Sequence, residues 1–193
     1  MLPTDPRVLH DIVKAYDVRG TVPDQLNADV AYALGVGFAS FCGGDRVLIG
    51  HDMRPSGPEL VEAFARGVRE QGLDVVLLGL ASTDLVYFAA GTLDAPAAMF
   101  TASHNPAQYN GVKFCLAGAR PVGQDTGLDT VKAVAIDVLE GRGPAAAATA
   151  GGTSEHDLLG AFADHVVSFI DVNAIRPMKV VADTANGMGG LVV

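Results

Sequence analysis

The chain has 193 residues against roughly 150 for a typical domain, so one domain and a remainder is the expectation. Hydrophobic residues make up 49% and charged residues 18%, which supplies a packed core and excludes intrinsic disorder. Lysine and arginine number 13 against 22 aspartates and glutamates, and the resulting net charge of −9 disfavours nucleic acid as a partner.

In chain order, a helix is expected over 27–42, where Gly35 and Gly37 predict close packing against a neighbour. Its charge-free stretch Val30 to Gly44 holds four glycines and is shorter than the ~20 residues of a membrane span, so no membrane partner is expected. Arg46-Val-Leu-Ile-Gly50 reads as a short buried strand. Ser56-Gly-Pro-Glu59 has the spacing of a capping box ahead of a helix carrying Leu60, Val61, Phe64 and Val68, which Gly72 stops. Asp74 to Gly79 is a second strand, Ser82 to Leu93 a short helix, and Ala97 to Ser103 a third strand. Asn105-Pro106 and Asn110-Gly111 are turn dipeptides, after which Val112 to Cys115 extends again.

Leu128 to Leu139 is an amphipathic helix. Gly141 to Gly152 is a Gly/Ala connector with nothing to anchor it and is expected to be mobile. Ser154 caps a helix through Ile170, and Met178 to Ala182 starts a new strand ahead of Asn186-Gly-Met-Gly-Gly190. Strands alternating with helices predict an α/β fold: a mixed, mainly parallel sheet sandwiched by helices. The two cysteines, Cys42 and Cys115, lack CxxC spacing, so neither a disulfide framework nor a zinc site is expected. No basic-then-apolar leader precedes Pro3, Asp5 and Arg7, and the expected compartment is the cytoplasm.

Ligands of open α/β sheets bind outside the carboxyl ends of the strands, which singles out four segments. They are Tyr16-Asp-Val-Arg-Gly20, His51-Asp-Met-Arg54, Thr101-Ala-Ser-His-Asn-Pro106 and Asn110-Gly-Val-Lys113. A hydroxyl, an imidazole, two guanidiniums and an amine suit a phosphoryl group better than an acyl group. Ser103 lacks the Gly-x-Ser-x-Gly elbow, and in extended chain it and His104 point to opposite sides, which disfavours a serine hydrolase. Taken singly, each segment also has a plain reading. Ser103, His104 and Asn105 form a polar turn, Arg19 and Arg54 pair with Asp17 and Asp52, and Lys113 guards an edge strand.

Thr101-Ala-Ser-His-Asn-Pro106 followed by Tyr109-Asn-Gly-Val-Lys113 resembles the phosphoserine loop of the α-D-phosphohexomutases. Tyr16-Asp-Val-Arg-Gly20, Gly50-His-Asp-Met-Arg-Pro55 and Val180-Val-Ala-Asp-Thr-Ala-Asn-Gly187 resemble three further blocks in that family's order, closest to its bacterial phosphomannomutase/phosphoglucomutase branch. The resemblance implies a four-domain enzyme that moves a phosphoryl group between the 6- and 1-hydroxyls of a hexose through a bisphosphorylated sugar. It makes Ser103 the phosphate carrier, Lys113 the proton-transfer group, and Arg19 and His104 phosphate partners. Tyr16 and Asn110 would meet the substrate, and Asn105, Pro106, Arg54 and Asp52 would shape and brace the loop. It also implies Mg²⁺ on the Ser103 phosphate with three aspartates of an Asp-x-Asp-x-Asp-Arg loop, a motif that this sequence does not contain.

The resemblance therefore covers a first domain over 1–153 carrying the phosphoserine loop, an interdomain helix and linker over 154–177, and the opening of a second domain over 178–193. The expected partner is a phosphosugar, a hexose 1- or 6-phosphate or the 1,6-bisphosphate, together with the missing domains. The alternative is a catalytically inactive truncated domain or binding remnant.

Overall fold

The computed structural model describes residues 4–193. Seven strands are β1 (Val18–Thr21), β2 (Arg46–His51), β3 (Asp74–Leu80), β4 (Ala97–Phe100), β5 (Tyr109–Leu116), β6 (Arg120–Pro121) and β7 (Thr153–Glu155). The helices are α1 (Val8–Ile12), α2 (Ala28–Cys42), α3 (Gly57–Glu70), α4 (Thr83–Thr92), α5 (Leu128–Leu139), α6 (Leu159–Val167) and α7 (Gly189–Val192). The sheet order is β1-β5-β4-β2-β3-β7, with β6 on the end of β5. β2 pairs parallel with β3 and β4, and β3 with β7, whereas β5 runs antiparallel to β1, β4 and β6. It follows that β5 alone is reversed and all the other strands point one way.

Helices cover both faces, as the alternation predicts. On one face α2, α3 and α5 bury Phe38, Phe64 and Val131 against Phe100 and Phe114, while on the other α4 and α6 bury Leu85, Ala89 and Phe162 against Leu48 and Met99. The close approach predicted at Gly35 and Gly37 is present. A Cβ on Gly35 would lie 2.2 Å from the Phe64 carbonyl oxygen of α3, and one on Gly37 would lie 2.5 Å from that of Val131 in α5. Phe38 stacks on Phe114 at 4.5 Å and Phe64 meets Phe100 edge-on at 5.4 Å, so the strand ends that carry the site are tied to two helices. Each such ring contributes about 1.5–3 kcal/mol by burial.

Five expectations are corrected. The capping box at Ser56 does not form: Ser56 is helical and caps nothing, because its hydroxyl accepts from Asn110 Nδ2 at 2.9 Å. The third strand ends at Phe100 rather than Ser103, since Thr101 onward turns away. The 141–152 connector is anchored by backbone bonds from Ala147 N–H to Glu70 O at 2.7 Å and from Gly151 N–H to Arg69 O at 2.9 Å. It delivers β7, so Ser154 sits in a strand and the helix begins at Leu159, where the Asp157 carboxylate accepts its N–H at 2.9 Å. No strand forms over 178–182: none of the described strands pairs with it, Val180 and Val181 are 75% and 94% exposed, and a strand exists only within a ladder.

Gly111 of β5 is a packing requirement beside the site. A Cβ there would lie 2.2 Å from the Val18 carbonyl oxygen and 2.9 Å from that of Thr101, both backbone atoms. Gly111→Ala should therefore cost about 1–3 kcal/mol through overpacking. The urea midpoint should fall at unchanged slope, and an unaltered midpoint would show that β1 yields freely.

Candidate active site

β3 and β4 flank β2 on opposite sides, so the strand order switches between β2 and β4. In open α/β sheets the ligand crevice lies outside the carboxyl ends at such a point. Here those ends are His51 to Arg54 and Phe100 to Ser103, joined by Asp52 N–H donating to Phe100 O at 2.9 Å. Because β5 is reversed, its amino end at Tyr109 and Asn110 reaches the same edge.

Arg54 holds the serine loop from beneath. Its Nε donates to Asp52 Oδ2 at 3.2 Å, Nη1 to the Pro106 and Tyr109 carbonyls at 2.9 and 2.7 Å, and Nη2 to the Ser103 and Asn105 carbonyls at 2.9 and 2.8 Å. Every guanidinium donor is thus used. The Arg54 and Asp52 side chains are 7% and 6% exposed, so the pair survives burial because each member is fully bonded. Thr101 continues the chain: its hydroxyl donates to Asp52 Oδ2 at 2.7 Å and accepts the Ser103 N–H at 3.0 Å. These contacts hold Ser103 at φ 55°, a left-handed conformation that a non-glycine residue adopts only when its surroundings impose it.

The Ser103 hydroxyl is exposed. The opposite-sides expectation for Ser103 and His104 is corrected by this backbone, since the left-handed turn leaves Ser103 Oγ 3.4 Å from His104 Nδ1. No carboxylate among the described residues hydrogen-bonds to the His104 ring, so a serine-histidine-acid triad is not assembled there. From β1, Arg19 Nη1 donates to Asn105 Oδ1 at 3.3 Å and Nη2 to Asp17 Oδ2 at 2.6 Å. Lys113 on β5 donates to the same Asp17 oxygen at 3.0 Å.

Tyr16 is 78% exposed and lines a depression of about 360 Å³ with Gln124 and Asp125. Asn110 is corrected as a substrate contact: it is 0% exposed, its Nδ2 bonds to Ser56 and its Oδ1 accepts the Gly111 N–H at 2.8 Å. Its amide locks the loop to α3 instead.

Sequence reasoning names neither Thr101 nor Asp17 as a site residue. The register explains the position of Asp17: Arg19 pairs antiparallel with Gly111, so two residues back Asp17 falls opposite Lys113, a pairing the sequence does not display. Burial pushes the Cys42 thiol up to about 12 and the Cys115 thiol up to about 11, so neither is a thiolate nucleophile at neutral pH.

Together these features define a three-layer α/β/α domain that presents one serine at its switch point, braced by a buried guanidinium, with Arg19 bonded to Asn105 of the same loop and sharing Asp17 with Lys113. Residues 10–136 match the family phosphoglucomutase/phosphomannomutase, alpha/beta/alpha domain I. A "Phosphohexose mutases" protein of Xanthomonas campestris pv. campestris is 41% identical over 184 residues, 93% of this chain and 40% of that protein. A phosphoglucomutase of Neisseria gonorrhoeae is 37% identical over 191 residues, 95% of this chain and 39% of that protein. The crystal structure of a phosphoglucomutase/phosphomannomutase family protein from Burkholderia thailandensis superposes with TM-score 0.72 at 32% identity, over 86% of this chain and 36% of that one.

The chain belongs to the phosphoglucomutase/phosphomannomutase family. It spans about 40% of the length of the curated relatives it matches. Among the described residues no helix is long and apolar enough to cross a membrane.

Proposed function

We propose that this chain supplies the phosphoserine domain of a phosphohexomutase, with Ser103 carrying the phosphoryl group exchanged with a hexose phosphate. The observation that carries the reading is the exposed Ser103 hydroxyl on a left-handed backbone held by Arg54 and Thr101, 3.4 Å from His104, with Arg19 bonded to Asn105 of the same loop. A phosphoserine brings about −1.5 to −2 charges at neutral pH. A fork-shaped permanent cation and an ammonium, in a chain of net charge −9, are its natural partners.

In the transfer, the P–O bond to Ser103 breaks as one forms to the sugar hydroxyl; the Lys113 ammonium gives a proton to the departing Ser103 oxygen, and the amine so formed takes up the proton of the sugar hydroxyl. The reverse transfer from the other end of the bisphosphate restores the phosphoserine. Lys113 is the proton-transfer group in this reading, Arg19 and His104 hold phosphate oxygens, and Tyr16 offers a ring face to the sugar. The packed unit reaches past 153 to α6, where Phe162 lies 5.6 Å from Phe88.

Mg²⁺ does not fit the residues present. Among the described residues no group of three metal-ligating side chains is assembled, and Asp17 and Asp52 each spend an oxygen on cations. The metal's aspartates would belong to the rest of a full-length family protein.

Incubating a protein of full family length carrying this domain, freed of phosphate and supplied with Mg²⁺, with glucose 1,6-bisphosphate and weighing it intact tests the reading. The expected result is one added phosphate, mapped to Ser103 and absent from Ser103→Ala. Phosphate on another residue, or none, overturns it. In a protein of full family length carrying this domain, Lys113→Met should lower kcat about a hundredfold or more, because general acid-base groups act in the transition state. KM should change little, and a rise in KM alone would make Lys113 a binding residue.

A further inference from the structure

Asp17 touches both Arg19 and Lys113. One oxygen, Oδ2, accepts from Arg19 Nη2 at 2.6 Å and from Lys113 Nζ at 3.0 Å, and the Asp17 side chain is only 10% exposed. Its backbone is fixed independently of these pairs: Lys14 N–H donates to the Asp17 carbonyl at 2.8 Å, and a bridge joins Val13 to Val18. Arg19 and Lys113 come from different strands, and two like charges drawn to one place repel each other. A carboxylate between them removes that repulsion and leaves the trio at net +1.

The donor geometry makes this more than charge balance. A guanidinium has five N–H donors and an ammonium three. Arg19 spends one on Asn105 and one on Asp17, and Lys113 spends one on Asp17. The unspent donors of both groups are therefore oriented from a single shared oxygen. Both side chains are long, and among the described residues Asp17 is the one side-chain partner of Lys113 and one of two for Arg19.

We infer that Asp17 is a positioning residue of the phosphoryl site: its single carboxylate oxygen sets Arg19 and Lys113 so that both meet the same phosphate. The role rests on reading Ser103 as the phosphoryl carrier. A plain counter-ion would behave differently, because it competes with an incoming anion and its removal strengthens anion binding.

The test follows the Arg19 Nε–H and Lys113 ammonium signals by NMR while inorganic phosphate is added to the ¹⁵N-labelled chain. In the wild type the two signals should move together with one dissociation constant. Asp17→Glu keeps the charge and displaces the oxygen by one methylene. Positioning predicts that phosphate affinity falls about tenfold, the size of one well-made charged hydrogen bond. It also predicts that the two signals part company, while the buried Arg54 signals report an intact fold. Asp17→Asn should weaken binding similarly and blur the Lys113 signal through faster exchange.

Wild-type affinity in Asp17→Glu, or tighter binding in Asp17→Asn, overturns the positioning role alone. If either variant fails to fold, the wild type still decides, since separate constants at Arg19 and Lys113 overturn the role. Wild-type signals that ignore phosphate overturn the phosphoryl reading itself.

Discussion

Replacing Ser103 by alanine should lower mutase turnover by roughly 10³-fold or more in a protein of full family length carrying this domain. A covalent carrier splits one difficult transfer into two easier ones, and without it no group is left to take up the phosphoryl. The fold should not register the change. Ser103 Oγ makes only the 3.4 Å contact to His104, and alanine bears the left-handed backbone at φ 55° no worse than serine does. Equal thermal midpoints with lost turnover are the expected pair of measurements. Wild-type turnover in the variant would mean that another group carries the phosphoryl.

Arg54→Ala should have the largest effect on stability. It strands a buried Asp52 without its cation and leaves four loop carbonyls, those of Ser103, Asn105, Pro106 and Tyr109, without their donor. Breaking a buried pair in this way costs about 3–5 kcal/mol. For a domain of this size that corresponds to a midpoint lower by on the order of 10 °C. Arg54→Lys separates charge from shape: it keeps the cation beside Asp52 but has three donors in place of five, so most of the loss should persist. Calorimetry of both variants checks this, and a lysine variant as stable as the wild type would show that charge alone holds the loop.

Much of the architecture is legible in the sequence because its elements bury one face at a regular period. α2, α3, α4 and α5 and strands β2 to β4 begin where apolar spacing and turn residues put them, whereas β5 already starts at Tyr109, so the turn expected at Asn110-Gly111 is strand paired with β1. What escapes is held by backbone. β7 is three polar residues, Thr153 to Glu155, with no alternation to read, and the connector before it is pinned through main-chain bonds to Glu70 and Arg69. The strand expected at 178–182 has the right composition but no ladder to join, which composition does not reveal.

At the site the same divide holds. Ser103, His104, Asn105 and Arg54 follow the carboxyl ends of β4 and β2 as expected, whereas Arg19 and Lys113 lie inside β1 and β5 and, among the described residues, are joined to the loop only through Asn105 and Asp17. The partners of Arg54 are carbonyl oxygens, which every residue possesses, so no residue type marks them. Asn110 reads as exposed turn chemistry and is in fact buried, because its partner Ser56 arrives from a helix 54 positions away.

The single reversed strand also governs motion. A parallel partner for β4 would require a long crossover, whereas β5 is entered after only the short return from Phe100 to Tyr109. Both ends of that return are rungs in the middle of the sheet, with Phe100 facing Val112 and Thr101 N–H bonded to Gly111 O at 3.0 Å. Local opening draws on the least stable parts of a fold, and the interior strands that anchor this return are the most stable. Ser103 thus stands on a fixed post whose excursions are tied to separation of the central strands, and under the proposed two-ended transfer the mobility would fall to the sugar rather than to the serine.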